Sequence, residues 1–141
     1  MKTLFFTMLF FLITSIAIAD YTIRSVYKFE NVDIIKNSDG SNIMNTTATG
    51  VNSYSNGNTV IIKCLVNVKN SILTGSCQGS DKDGDLEYTT VERDISKGNK
   101  GIMRRIGGTG KYENTSSTCE YVVELTDFAV GVGYLTANCK E

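Results

Sequence analysis

Glu87, Glu113 and Glu120 are the carboxyl side chains that, by residue type, are candidates for moving a proton. Such work needs an acid or base buried in an apolar cavity, where its proton affinity is tuned by its surroundings. Arg104, Arg105 and Lys111 have the chemistry to hold a carboxylate if they face a pocket. On a strand, such charges more often point into water, because a charged side chain is rarely buried without a partner. The chain has no histidine. That removes Ser-His-Asp and Cys-His catalysis, histidine-ligated zinc and imidazole acid–base chemistry.

Two clusters imitate ligand-binding loops. The carboxylates Asp81, Asp83 and Asp85, followed by Glu87 and Glu92, fall at positions one, three, five, seven and twelve of a calcium loop. The sharp bend at position six requires glycine, and Leu86 stands there. Asp81, Asp83 and Asp85 are therefore kept only as subordinate calcium candidates. The preferred reading is a hairpin turning at Asp83-Gly84, which sets Gly79 opposite Tyr88. The run Gly107, Gly108, Thr109, Gly110, Lys111 and Tyr112 invites comparison with a phosphate loop. It fails, because Arg105 occupies the place of the first glycine and Tyr112 that of the Ser or Thr after the lysine. Glycines in such a run suit a bulge or a tight corner between strands. No cofactor motif emerges.

The four cysteines, Cys64, Cys77, Cys119 and Cys139, carry redox chemistry. Four cysteines allow three pairings. Cys64 and Cys77 are equidistant from Asn70-Ser71, and Cys119 and Cys139 from Ala129. Hairpins turning at those points place each pair directly across two strands, within disulfide reach. The favoured pairing is thus 64–77 and 119–139.

The elements that carry these residues are strands. Tyr21, Ile23, Tyr27 and Phe29 alternate with polar residues, as do Val60 to Val68 and Cys119 to Leu125. Gly, Asn, Asp and Ser clusters separate the runs. About eight strands result, near 21–30, 43–53, 58–69, 72–79, 85–93, 100–107, 117–126 and 130–139. The segment from Val32 to Asn58 is polar and is the expected place for a long or mobile loop. The fold class is all-β: a small closed antiparallel barrel, with a β-sandwich as the alternative. Tyr121, Val123, Leu125, Leu135, Ile62, Val66, Leu73 and Tyr88 are the expected interior residues.

Residues 1–19 read as a secretory signal peptide. Lys2 precedes an apolar run to Ile18, and Ala17-Ile18-Ala19 is a small-x-small cleavage pattern. The run is too short to span a bilayer comfortably. Cleavage there leaves residues 20–141 as one domain, with 13 basic and 15 acidic residues once Lys2 is gone, a net charge of −2. The basic residues are scattered, so no nucleic-acid surface is expected. The exported chain is expected to be secreted or periplasmic and not inserted in a membrane. Asn45 and Asn114 begin glycosylation sequons by pattern alone.

The segment Ile106 to Tyr112 resembles the GGTGKF/Y segment of the allene oxide cyclase and dirigent barrel superfamily. Cys77 to Asp85 resembles the C-x-x-x-D-x-D-G-D segment that precedes it in exported bacterial "allene oxide cyclase barrel-like" proteins, whose upstream cysteine would match Cys64. The resemblance covers roughly residues 60–139. It implies a closed eight-stranded barrel with a central cavity. After Tyr112 the small residues and the further glycine usual in that superfamily are replaced by Glu113 to Cys119. No catalytic residue transfers.

Three roles are open to such a domain. One is a non-catalytic barrel that binds a small apolar ligand or serves as an envelope-associated structural module. Another is an isomerase or stereo-directing protein, as the resemblance permits. The last is a protein-binding or inhibitor module. The content of the barrel interior discriminates among them.

Overall fold

The computed structural model describes residues 20–141, and the expected signal peptide lies outside them. Eight strands follow one another: β1 (Tyr21–Lys36), β2 (Asn42–Tyr54), β3 (Thr59–Lys69), β4 (Ile72–Asp81), β5 (Leu86–Asp94), β6 (Lys100–Gly108), β7 (Ser117–Asp127) and β8 (Val132–Lys140). Every neighbour pair is antiparallel, and β8 returns to pair with β1. Closure gives every strand two partners and leaves no open edge. The architecture is an up-and-down barrel, not a sandwich.

Alternation decides which side chains enter it. Along β1, Tyr21, Ile23 and Ser25 are buried, while Thr22, Arg24 and Val26 are exposed. Ile23 and Val60 are completely enclosed. Each contributes about 1.5–3 kcal/mol by leaving water. Cys64 lies opposite Cys77, and Cys119 opposite Cys139, in the ladders themselves. Both pairs are disulfides, and all four sulfurs lie on the inner face.

Ile62, Val66, Leu73, Tyr121, Val123 and Leu135 face inward as expected. Leu125 and Tyr88 do not, for two distinct reasons. The β7–β8 register slips between Val123 and Leu125, so Leu125 lies opposite Tyr134 and is 66 % exposed. In the β4–β5 hairpin, Gly79 lies opposite Glu87, not Tyr88. A shift of one residue turns a strand over. Glu87 therefore points into the barrel, and Tyr88 is 38 % exposed outside it.

The polar segment expected as a loop is mostly strand. β1 and β2 together run through it, with only a short turn near Gly40. A bulge between Glu30 and Asp33, with Asn31 at φ 52°, lets the ladder resume beyond it. Val32, Ile34 and Ile35 are exposed on this extension.

Candidate ligand chamber and its polar plug

The two barrel ends differ. At one lie the β1–β2, β3–β4, β5–β6 and β7–β8 turns; at the other lie the β2–β3 and β4–β5 turns and the segment after β6. Between them is a chamber of about 90 Å³. Its wall is largely apolar, with Ala48, Ile62, Val66, Val91, Met103 and Leu135 among the contributors, together with the Cys64–Cys77 bridge. Among the described residues no carboxylate lines it.

Its polar groups are few. Asn52, only 3 % exposed, stands directly across from Ser25 on β1. The Asn52 Oδ1 has no hydrogen-bond partner among the described residues. Arg93 lines the same space, and its Nε is likewise buried and unpartnered. Tyr27 and Tyr121 flank the cavity. Each ring lies over a glycine of the adjacent strand, Tyr27 over Gly133 and Tyr121 over Gly101, where a Cβ would overlap the phenol. Burial, opposed by the Arg93 charge, pushes the Tyr121 phenol up to about 12.

One inward step along their strands from Asn52, Thr89 and Met103 stand Tyr54, Glu87 and Arg105. These three close the chamber's inner end. The Tyr54 hydroxyl donates to Glu87 Oε1 at 2.5 Å, and Arg105 Nε donates to Glu87 Oε2 at 3.3 Å. Arg105 Nη1 reaches Glu141 Oε1 at 3.3 Å. The guanidinium lies over the rings of Tyr21, Tyr54 and Tyr112, 5.3, 5.9 and 5.3 Å from their centroids. The Tyr21 hydroxyl and Ser117 Oγ are hydrogen-bonded at 2.6 Å. Burial, then the Glu87 charge, raises the Tyr54 phenol far above its ordinary range. Burial also raises Tyr21. The cluster is a satisfied ion pair wrapped in aromatic faces. Both Glu87 oxygens are engaged within it.

The glycine run builds the lid of this plug. Gly107 has φ 129°, which favours glycine, and sits beside a bulge where the β5–β6 register slips. The Thr109 amide then donates to Leu86 O, and Thr109 Oγ1 accepts from the Leu86 amide. A short 3₁₀ turn, Gly110–Tyr112, brings Tyr112 inside against Arg105. Asn58 Nδ2 donates to the Tyr112 hydroxyl. The carboxylates singled out as calcium candidates hold this turn in place. Lys111 Nζ lies 2.6 Å from Asp81 Oδ2 and 3.0 Å from Asp83 Oδ2. Asp85 Oδ2 accepts from the Lys111 amide, and Asp81 Oδ1 from the amides of Asp83 and Asp85. The hydrogen bond with Lys111, ahead of other causes, holds the Asp81 carboxyl below its usual range. Among the described residues, no group of three or more His, Cys, Asp or Glu side chains is arranged to hold a metal ion. The two sequence segments that carried the family resemblance are thus each other's partners.

Of the proton-transfer candidates, Glu87 is buried in the plug, whereas Glu113 and Glu120 are exposed. Arg104 is solvated; Arg105, expected on a solvated face, is only 7 % exposed. Asn45 and Asn114 are both exposed. Sequence reasoning missed Asn52, Arg93, Ser25 and Tyr27 as chamber residues. The signal was the strand period itself. With Glu87 inward, β5 presents Glu87, Thr89, Val91 and Arg93 on one face.

Among the solved structures similar to this barrel are two pterocarpan synthase dirigent proteins. For GePTS1 the identity is 10 %, the TM-score is 0.56, and the match covers 86 % of this chain and 87 % of that one. PsPTS1 gives 10 % identity and a TM-score of 0.56, over 85 % of this chain and 93 % of that one. The fold is that of the dirigent barrels. No protein-family model matches the chain, and no curated protein does. At 10 % identity the dirigent likeness concerns backbone architecture, the part of the earlier expectation that rested on the glycine and aspartate segments.

Proposed function

We propose that this chain is an exported binding protein that holds a small, largely apolar molecule inside its barrel without transforming it. The observation that carries the reading is the chamber itself: a largely apolar wall with a few polar residues, Ser25, Asn52, Thr89 and Arg93 among them. Apolar pockets with a few convergent polar groups are the usual form of a small-molecule site. Catalysis of proton transfer would want a free acid or base on that wall. Glu87, the nearest carboxylate by strand position, has both oxygens committed to Tyr54 and Arg105. The two disulfides fit an oxidising compartment, in keeping with residues 1–19 serving as a signal peptide and residues 20–141 as the mature domain. Among the described residues, no helix is long and apolar enough to cross a membrane.

The stereo-directing alternative draws its support from the dirigent fold. The envelope-structural and inhibitor roles draw none from the chamber. Native mass spectrometry of protein purified from its source tests the binding reading. A retained small-molecule mass is the expected result. Bare protein that also fails to take up an apolar fluorescent dye overturns it.

A further inference from the structure

We infer that the open end of the barrel docks on a lipid bilayer of neutral headgroups, with its turn tips inserted among the acyl chains and the chamber mouth facing them. This goes beyond the binding reading and does not rest on it. The interior opens at the end that holds the β1–β2, β3–β4, β5–β6 and β7–β8 turns. On β1 the inward Tyr21, Ile23 and Ser25 are buried, whereas Tyr27 and Phe29, nearer that end, are half-buried. The same change runs along β5 from Glu87 and Thr89 to Val91 and Arg93, and along β7 from Tyr121 to Val123. Each of the four turns, or the strand end beside it, carries an exposed large apolar side chain. Ile34 and Ile35 precede the first, Ile72 follows the second, Ile95 lies in the third, and Phe128 and Val130 lie in the fourth. Phe128 is 87 % exposed. Consecutive strand residues point to opposite faces, so Ile34 and Ile35 leave both faces of the projecting hairpin bare. At the plug end, residues 55–58, 82–85 and 109–116 include no exposed large apolar side chain.

The ring itself selects the partner. Residues 33–43, 69–72, 94–100 and 127–132 hold Lys36, Lys69, Lys97 and Lys100 against Asp33, Asp39, Asp94 and Asp127. These charges cancel, which matches a zwitterionic headgroup layer and gives an anionic surface no advantage. A second copy of the chain fits poorly. The ring surrounds the chamber mouth, so two rings set tip to tip would lack the buried central cluster where interface energy concentrates. Acyl chains deform to fill such a hollow. The tips are also prepared to leave water. Asp127 Oδ1 accepts from the Ala129 and Val130 amides, the Ile95 amide donates to Ser71 O, and the Gly40 amide donates to Asn37 O. Paired backbone groups lower the cost of entering the lipid interface.

The test is sedimentation with phosphatidylcholine vesicles, using oxidised protein purified from its source. The unaltered protein should pellet with the vesicles, and raised salt should leave the bound fraction unchanged. Phe128→Ser should weaken partitioning about tenfold, and Ile34→Ser combined with Ile35→Ser by a similar factor, from the apolar area withdrawn. Ile61→Ser, on the outer wall and 69 % exposed, should change nothing. Amide exchange of the unaltered protein needs no variant: vesicles should protect residues 33–43 and 127–132 but not 55–58. No pelleting, binding abolished by salt, undiminished binding of the tip variants, equal loss with Ile61→Ser, or protection at 55–58 each overturns the inference. So does a vesicle-free dimer that Phe128→Ser dissociates. Dye uptake by protein that does not pellet leaves the binding reading standing, and pelleting without dye uptake does the reverse.

Discussion

Glu87→Gln is the substitution whose cost can be worked most directly from the structure. The side chain is 1 % exposed and divides its oxygens between the Tyr54 hydroxyl at 2.5 Å and Arg105 Nε at 3.3 Å. Glutamine keeps an acceptor for Tyr54 but removes the charge that Arg105 faces. The guanidinium, 7 % exposed, would then have only Glu141 at 3.3 Å and the three tyrosine faces. Breaking a buried ion pair on one side costs about 3–5 kcal/mol. Because the Tyr54 bond survives, the expected loss is at the lower bound, about 3 kcal/mol. For a domain of this size that lowers Tm by about 10–15 °C. Urea and thermal unfolding at neutral pH, with disulfides intact, should be measured for Glu87→Gln, Arg105→Met and the double variant. The double variant should lose less than the two single losses combined, by about 2 kcal/mol, because it removes both charges. A loss below about 1 kcal/mol for Glu87→Gln, or strict additivity, would refute the buried pair.

Three further outcomes are expected. Replacing Cys64 and Cys77 by alanine should cost about 3 kcal/mol in denaturant unfolding, from a sequence separation of 13 in the chain-entropy model; an unchanged midpoint would argue against it. The buried tyrosines should titrate late. Tyr121 is raised to about 12 by burial, and Tyr54 beyond that, so the fold favours their neutral forms. Their contribution is full below the unfolded phenol value near 10 and fades as pH rises, through about 12 for Tyr121; phenolate absorbance of native against urea-unfolded protein reads this directly, and coincident curves would contradict it. Gly133→Ala should drive the Tyr27 ring off its glycine and into the chamber, because the new Cβ meets only that ring's atoms. Dye uptake should fall severalfold while the barrel remains folded by circular dichroism, and unaltered uptake would disconnect Tyr27 from the chamber wall.

How far the sequence could be read depended on whether a local rule governed the outcome. The Asn70-Ser71 turn has a symmetric hairpin about it, so counting outward placed Cys64 opposite Cys77 and Val66 opposite Gly75. Counting from Ala129 also gave Cys119 opposite Cys139, but only because the bulge after Val123 offsets a turn centred between Ala129 and Val130. The count failed at Leu125 because a bulge intervenes after Val123, and bulges leave no fixed mark in a polar-apolar pattern. It failed again at Asp83-Gly84. A two-residue turn there would pair Gly79 with Tyr88, but the Asp81 carboxylate accepts from the Asp83 and Asp85 amides and stabilises a longer turn. That one added residue placed Glu87 inside and Tyr88 outside. Apolarity would have chosen the tyrosine; the local hydrogen bonds of the turn chose the glutamate.

The burial of Glu87 has a consequence for Arg105 that no local pattern could supply. Arg105 is two residues before the glycine pair, on a strand whose alternation alone permits it to face either way. It is inward because Met103 and Gly101 are, and the cost of that position is offset only when Glu87, three tyrosines and the Lys111-anchored turn all converge on the same barrel end. The partners come from three strands, β1, β2 and β5, and from the turn that carries both Lys111 and Tyr112. The sequence therefore displays Arg105 as a surface charge, and only barrel closure converts it into a buried one. The same closure carries Asn52 and Arg93 to the chamber farther along the interior. A barrel that gathers its buried ion pair and the tyrosines around it at one end leaves the rest of its interior largely apolar, and that is where a small molecule would fit.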